Sequence, residues 1–169
     1  MEAMAPRLAR LGFDAAGHAG RVVASPLVRA RHSALLASGR PEKDIELEAG
    51  FREISLGAWE GLSVAEVQAR YPGAYEARGA DLAHFRPPGG ESFADVAARA
   101  WPALLSLIAD RAQTKSGPLL IVAHAGVNRV LLARASGLPL QELLTIPQPY
   151  GGLSSLRSSA GNIKIEFLP

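Results

Sequence analysis

The chain has 169 residues, of which 48% are hydrophobic and 20% charged, and it contains no cysteine. This length and composition predict one folded domain over residues 1–169, and they exclude disulfide bonds, thiol nucleophiles and thiolate metal sites. The formal net charge is only +2 and the basic residues are scattered, so no nucleic-acid surface is predicted. No apolar run approaches the length of about eighteen residues that a membrane-spanning helix needs.

The first half of the chain alternates between helical and strand patterns. Residues 1–13 lack the basic-then-apolar layout of a signal peptide, so we expect a cytoplasmic protein. In chain order, the spacing of apolar residues and of Gly and Pro predicts a helix over 2–11, a strand over 21–25, a helix over 27–37, a strand over 45–47 and a glycine-punctuated loop over 51–62.

The second half continues the alternation and ends in a hairpin. Ser63 and Glu66 form a capping-box pattern that opens a short helix. The later segments predict an irregular, mobile cover over 72–90, a helix over 92–115 that Pro102 kinks or interrupts, a strand over 119–123, a helix over 128–136 and a C-terminal hairpin of strands 152–157 and 163–167. Strands that alternate with helices favour an α/β fold with a largely parallel sheet.

His124 directly follows the continuous apolar run over 119–123, which is typical of a strand buried on both faces. Open α/β sheets form their ligand crevice at the carboxyl ends of such strands. We therefore expect His124 at the mouth of a site. The alternative is a core histidine whose ring nitrogens are bonded to backbone groups.

A second candidate is Arg29, which follows the strand over 21–25 and lies near the start of the next helix. The free N–H groups and positive dipole at a helix N-terminus favour an anion, to which an arginine adds a charged fork. The alternative is an arginine on a solvated helix face. Arginine supplies 15 of the 18 basic residues, which suits phosphate binding but is equally explained by the codon bias of a GC-rich genome.

Two further segments carry carboxylates. Glu53 lies between Arg52 and an apolar, aromatic loop that could tune it for general acid catalysis, although it could also form a structural pair with an arginine. Glu91 and Ser92 follow the stiff turn over 87–90, where they either contact a substrate or simply cap a helix.

In this order and spacing the segments resemble the histidine phosphatase (phosphoglycerate mutase-like) superfamily over residues 2–157. The compact GxWEG and GGES segments are similar to the phosphatase branch, which includes α-ribazole phosphatases, rather than to the mutases. Residues 25–33 match the family's SPLxRAxxT motif with Ser33 in place of threonine, 51–61 match LREIxxGxWEG with Phe51 in place of leucine, 88–93 match PGGESF, and 122–129 match VxHGGVxR with Ala125 in place of glycine.

The resemblance implies a three-layer α/β/α fold and hydrolysis of a small phosphate monoester, such as α-ribazole 5′-phosphate or a sugar phosphate, without a metal or other cofactor. Arg29 and Ala125 would then bind the transferred phosphoryl group, and His124 would hydrogen-bond to it and stabilise its developing charge. Glu53 would protonate the leaving oxygen and later activate water. Phosphoryl transfer needs mainly such positioning and positive charge.

The chain departs from the family in one respect: it contains no Arg-His-Gly. In the family this motif ends the first strand, which lies in the centre of the sheet, and its histidine becomes phosphorylated. His18 is the nearest histidine with small neighbours, but it precedes the strand over 21–25 instead of ending one. We therefore expect this chain to be inactive or impaired on its own.

Three explanations of this departure stay open. The sequence omits an N-terminal segment, or the sheet rearranges or takes a strand from a second subunit in a homodimer, or the chain is a non-catalytic phosphate-binding relative. A sheet without its central strand would leave buried backbone groups unpaired at about 1–3 kcal/mol each, against a total stability of about 5–15 kcal/mol. On these energetic grounds we expect the first explanation, an N-terminally incomplete domain.

Overall fold

The computed structural model of the chain describes residues 4–10, 13, 20–114, 117–159 and 162–168. Within this part, short 3-10 turns connect several of the regular elements. The helices and strands, in chain order, are α1 (Met4–Arg10), β1 (Arg21–Ala24), α2 (Val28–Ser38), β2 (Ile45–Leu47), α3 (Val64–Arg70), α4 (Ala74–Ala80), α5 (Phe93–Thr114), β3 (Leu119–Val122), α6 (Ala125–Ser136), β4 (Leu153–Ser159) and β5 (Asn162–Leu168).

Three strands form a parallel sheet in the order β2-β1-β3. Val22 of β1 pairs with Ile45 of β2 and with Leu120 of β3. The carboxyl ends of β1 and β3 therefore lie side by side, which is where an open parallel sheet places its ligands. The predicted α/β fold with a largely parallel sheet is confirmed.

Helices cover both faces of this sheet. Side chains of a strand alternate between its faces, and Val22 and Ala24 pack into an apolar cluster with α1 and α2. Val23 points the other way, into a larger cluster that includes residues of α5 and α6. The predicted three-layer α/β/α arrangement is confirmed.

The predicted C-terminal hairpin is also present, as the antiparallel pair β4 and β5. It forms a separate sheet. In the described part of the chain, β3 pairs only with β1 and β4 pairs only with β5, so each has one edge without a partner strand. A central strand beside β3 stays a prediction.

Three details differ from the sequence expectations. The cover over 72–90 is not wholly irregular, because it contains α4. Helix α6 begins at Ala125 and not at residue 128, since the small residues after His124 already adopt helical geometry. Pro102 does not interrupt α5; Pro102 and Ala98 are both exposed, so the carbonyl that proline leaves without a donor lies on the solvent side.

Other expectations fall partly or wholly outside the described residues. Helix α1 covers the centre of the segment predicted as helical over 2–11, whose ends are not described, and His18 is likewise outside the described ranges. The capping box of α3 is confirmed, with Ser63 and Glu66 bonded reciprocally. No helix in the described ranges is long and apolar enough to cross a membrane.

Candidate active site

The candidate site is built on the carboxyl ends of β1 and β3. Ser25 follows β1 directly, and its backbone N–H extends the sheet by donating to the carbonyl of Val122 at 2.9 Å. His124 follows β3 by two residues, and its Nε2 lies 2.8 Å from the hydroxyl of Ser25. The two neighbouring strands thus bring together residues that are 99 positions apart.

His124 is 7% exposed, and its ring is hydrogen-bonded at both nitrogens. Arg29 Nε donates to His124 Nδ1 at 3.2 Å, so the proton of the neutral ring is on Nε2, which donates to Ser25. Burial lowers the pKa of His124, and the positive charges of Arg29 and Arg99 lower it further, while the Glu53 carboxylate acts in the opposite direction. The ring is therefore neutral near pH 7 and held in one tautomer.

Helix α6 begins immediately after this histidine and points its N-terminus into the site. Ala125 is its first residue, and N–H groups in the first turn of a helix have no acceptor within the helix. The carboxylate of Glu53 accepts the N–H of Gly126 at 3.3 Å and that of Ile54 at 3.0 Å. The carboxylate of Glu53 thus lies at the positive end of α6.

Only a glycine at position 126 allows the Glu53 carboxylate to lie this close to the backbone of α6. A Cβ atom at this position would lie 2.6 Å from Oε1 of Glu53 and 3.4 Å from a ring carbon of Phe93. Any larger residue would displace the carboxylate from the helix N-terminus. The glycine in the sequence after His124 therefore serves the placement of Glu53.

The segment that follows Glu53 is fastened to the turn before α5 through backbone contacts. Ala58 N donates to the carbonyl of Pro88 at 2.9 Å, and Glu91 N donates to the carbonyl of Ser55 at 2.8 Å. A Cβ atom at Gly57, whose φ is +55°, would lie 2.3 Å from the Pro88 carbonyl oxygen. The glycines in these two segments thus permit close contact between the loops.

Arg99, on α5, joins the same segments through its guanidinium group. It donates to both carboxylate oxygens of Glu91, at 2.8 and 2.9 Å, and to the carbonyls of Gly50 and Glu53, at 2.7 and 3.3 Å. Hydrogen bonding to Arg99 lowers the pKa of Glu91, which also accepts the N–H of Ser55 at 2.9 Å. Glu91 is therefore a charged anchor for the Glu53 loop.

These contacts bear on the roles predicted for Glu91 and Ser92. Glu91 lines the cavity of the site, so its contact with a substrate stays a prediction. Ser92 is only 2% exposed, and it exchanges hydrogen bonds with Asp95 in the manner of a helix cap. For Ser92 the geometry favours helix capping, the alternative that the sequence left open.

A cavity of about 810 Å³ opens over the α6 N-terminus, and Arg29, Glu53, Ala125 and Gly126 are among its lining residues. His124 is not among them, and Arg29 connects its ring to the cavity through a hydrogen bond. Four residues singled out in the sequence, Arg29, Glu53, His124 and Ala125, are thus brought into one place. In the described ranges, no group of three or more His, Asp or Glu residues is arranged to hold a metal ion.

The structure also shows contributors that sequence reasoning missed. Ser25 orients His124, Arg99 holds Glu91 and the Glu53 loop, and Gly126 admits the Glu53 carboxylate. The sequence offered one signal for Ser25: it directly follows a predicted strand, as His124 does, so the two residues could be expected at the same edge of a parallel sheet. The sequence offered no such signal for Arg99, because its hydrogen-bond partners are 8 to 49 residues away along the chain.

Acidification below pH 6.5 is expected to destabilise the chain through His124. Its pKa in the folded state lies below the ordinary 6.5, so between these two values the unfolded chain binds more protons and the free energy of unfolding falls as the pH falls. Urea unfolding at pH 7.5 and 5.5 measures the loss of unfolding free energy on acidification. We expect His124→Gln to lose less than the wild-type chain. His32→Gln, on the exposed side of α2, is the control. Equal losses of stability in the wild-type chain, His124→Gln and His32→Gln would contradict the claim that His124 causes the pH dependence.

The site combines an arginine, a buried histidine and a carboxylate at the N-terminus of a helix, on the ligand-binding edge of a parallel sheet. Such a set is typical of an anion-binding pocket with a group that can exchange protons. The histidine phosphatase superfamily (branch 1) model matches residues 1–168, and the chain belongs to that family.

Individual relatives agree with this membership. A glucosyl-3-phosphoglycerate phosphatase of Mycolicibacterium vanbaalenii is 36% identical over 123 residues, which cover 70% of this chain and 54% of that protein. A Caenorhabditis elegans 6-phosphofructo-2-kinase/fructose-2,6-bisphosphatase is 33% identical over 140 residues, 83% of this chain and 29% of that protein. The chain thus spans about half the length of the first of these relatives, and less of the second.

Solved structures show the same fold. A mycobacterial glucosyl-3-phosphoglycerate phosphatase in complex with VO3 superposes with a TM-score of 0.77 at 29% identity, over 98% of this chain and 79% of that one. The α-ribazole phosphatase of Shigella flexneri gives a TM-score of 0.78 over 93% and 76% of the two chains, and its 23% identity supports the fold alone. The predicted resemblance to the phosphatase branch is confirmed.

Proposed function

We propose that this chain binds the phosphoryl group of small phosphate monoesters at the N-terminus of α6. It would form the phosphate-binding part of a phosphomonoester hydrolase of the histidine phosphatase type. The observation that carries the proposal is the convergence of Arg29, His124 and Glu53 on the first turn of α6. A cytoplasmic location belongs to the same proposal.

The electrostatics of the site suit a phosphoryl group. The N–H groups and the dipole at the start of α6 favour a negative charge, and the Arg29 guanidinium adds a planar fork that matches two phosphate oxygens. A phosphoryl group that draws Arg29 away from Nδ1 of His124 leaves this nitrogen free to take up a proton. The protonated ring can then donate a hydrogen bond to the phosphoryl oxygen.

The position of Glu53 supports a role in proton transfer to the leaving group. Its carboxylate is held at the N–H of Gly126, on the cavity wall, by contacts that leave it next to the proposed phosphoryl position. In the family that this chain resembles, a histidine in Arg-His-Gly accepts the phosphoryl group, and these 169 residues contain no such motif. Turnover by this chain is therefore proposed to be absent or strongly impaired.

The second candidate is a phosphate-binding relative that performs no catalysis. The absence of Arg-His-Gly from the sequence favours it, whereas the placement of Glu53 at the phosphoryl position favours the hydrolase. Both candidates need the same anion pocket, so they differ in turnover and not in binding. The relatives are named for glucosyl-3-phosphoglycerate and fructose 2,6-bisphosphate, and sugar phosphates and α-ribazole 5′-phosphate are the first substrates to test.

Replacing Arg29 by methionine is expected to weaken the binding of inorganic phosphate about tenfold to hundredfold. A hydrogen bond to a charged group contributes about 1.5–3 kcal/mol, and each 1.4 kcal/mol is about a factor of ten in affinity. Isothermal titration calorimetry measures the change. Arg31→Met is the matched control, because Arg31 lies on the same helix but pairs with Glu42. Unchanged affinity in Arg29→Met would overturn the proposed site.

A further inference from the structure

Helix α4 belongs to the cover of the site, yet none of its seven residues is buried. Isolated helices shorter than about 12 residues are marginal in water, and Gly79, near the end of α4, lowers the helix propensity further. The N-cap residue, Gly73, has no side chain that could accept the free N–H groups of the first turn. Neither apolar burial nor the local sequence therefore explains why α4 is formed.

Contacts at the protein surface connect the middle of α4 to its neighbours. Glu76 accepts a hydrogen bond from the side-chain amide of Gln68, on α3, at 2.8 Å. The guanidinium carbon of Arg78 lies 5.6 Å from the centre of the Phe93 ring. Both contacts involve side chains, and the backbone groups at the C-terminal end of α4 need partners of their own.

The side chain of Gln141 supplies these partners. Its Nε2 donates to the carbonyls of Gly79 and Ala80, at 3.4 and 3.3 Å, and its Oε1 accepts the N–H of Ala83 at 3.3 Å. The last carbonyls of a helix have no donor within the helix. Gln141 thus caps the C-terminus of α4 from a position 61 residues beyond Ala80.

Gln141 belongs to a segment that the core holds in place. It lies in the 3-10 turn Leu140–Thr145, whose Leu143 is fully buried in one apolar cluster with residues of α5 and α6. The chain that follows α4 is also anchored, because Leu82 and Ala83 are buried. Gln141 therefore fastens an exposed helix to the fixed body of the domain.

Phe93 connects this helix to the reacting centre. A Cβ atom at Gly126, in the first turn of α6, would lie 3.4 Å from a carbon of the Phe93 ring, and Arg78 of α4 contacts the same ring and lines the cavity. Inorganic phosphate at the start of α6 is thus one aromatic ring away from α4. A monoester with a larger leaving group extends from Glu53 into the cavity and reaches the cover.

We infer that Gln141 is a positioning residue that holds α4 in place as the part of the cavity wall facing the leaving group. The inference rests on the proposed function and deepens it. Gln141 determines the affinity for monoesters that are large enough to reach α4, and it has no effect on the binding of inorganic phosphate. Loss of its three hydrogen bonds opens α4 locally and leaves the rest of the domain folded.

Hydrogen–deuterium exchange tests the effect on α4. Gln141→Met keeps the length of the side chain but removes its hydrogen bonds. We expect the amides of residues 77–83 to exchange about tenfold faster in this variant, the factor that corresponds to about 1.4 kcal/mol, with little change in α5 and α6. Gln113→Met is the matched control, because Gln113 is exposed on α5.

Two charged variants separate capping from a merely structural role of this position. Gln141→Lys supplies a donor and a positive charge at the C-terminus of α4, both of which favour the helix. Gln141→Glu supplies no donor and places a negative charge there. We expect slow exchange of residues 77–83 to be largely retained in Gln141→Lys and lost in Gln141→Glu.

Calorimetry with inorganic phosphate and glucose 6-phosphate tests the effect on binding. In Gln141→Met the affinity for glucose 6-phosphate is expected to fall about threefold or more, because fewer chains have the complete cavity wall. The affinity for inorganic phosphate should be unchanged, and Gln141→Lys should recover part of the affinity for glucose 6-phosphate. Gln113→Met should bind both ligands as the wild-type chain does.

The contrary outcomes are distinguishable. If Gln141→Met leaves the exchange of residues 77–83 unchanged, or if Gln141→Lys and Gln141→Glu exchange equally fast, Gln141 does not cap α4. If exchange rises but glucose 6-phosphate binds as before, Gln141 does not position the cavity wall, and the phosphate site stands. If the wild-type chain binds neither ligand, the proposed function fails and the role of Gln141 in binding fails with it.

Discussion

Replacing Arg99 by methionine is expected to lower the free energy of unfolding by about 2–4 kcal/mol, because several part-buried polar groups lose their partner together. Glu91 would keep its negative charge while only 28% of its side chain is exposed. Breaking a buried ion pair by removing one partner costs about 3–5 kcal/mol, and the partial exposure of this pair reduces the figure. The carbonyls of Gly50 and Glu53 would also lose a charged donor.

Urea unfolding at pH 7 measures this loss. Arg111→Met is the matched control on the same helix, because Arg111 is exposed and its Nε donates to the carbonyl of Gly117; we expect a change of about 0.5 kcal/mol or less. Adding Glu91→Gln to Arg99→Met should recover part of the stability, since the uncompensated carboxylate is then gone. Equal effects of Arg99→Met and Arg111→Met would show that Arg99 does not hold the two loops together.

The parts of the fold that depend on local pattern were predictable from the sequence. The apolar run before His124 identified a buried strand and placed the histidine at its carboxyl end, and the spacing of Ser63 and Glu66 identified a helix start. Each of these signals lies within about ten consecutive residues. The motifs that carry the family resemblance then predicted which distant segments meet at the site.

The parts that were not predictable depend on contacts between distant segments. Arg99 looks like any arginine on a long helix until α5 places it against the Glu91 turn and the Glu53 loop. An interruption of α5 at Pro102 is not found, since the exposure of Pro102 on the solvent side lets the helix continue. The surplus of arginines had an equally good explanation in codon usage, and only the cavity showed that five of them share one surface.

If a segment with the Arg-His-Gly motif is added before this chain, which itself contains none, the hydrolysis of a phosphate monoester is expected to rise by about a thousandfold or more. Removing the nucleophile from a concerted catalytic set costs several orders of magnitude in rate, because the covalent route is then closed. In the proposed function the 169 residues would supply positioning and a proton-transfer group, which account for only part of the acceleration.

The most direct test compares the hydrolysis of p-nitrophenyl phosphate by the 169-residue chain and by the same chain preceded by the residues encoded directly upstream of Met1. We predict that both bind inorganic phosphate, that only the longer protein hydrolyses the ester at an enzymatic rate, and that Glu53→Gln slows this protein about a hundredfold. Equal rates in the two proteins would contradict the account. Phosphate-induced stabilisation without turnover in either would show that the chain is a phosphate-binding protein and not part of a hydrolase.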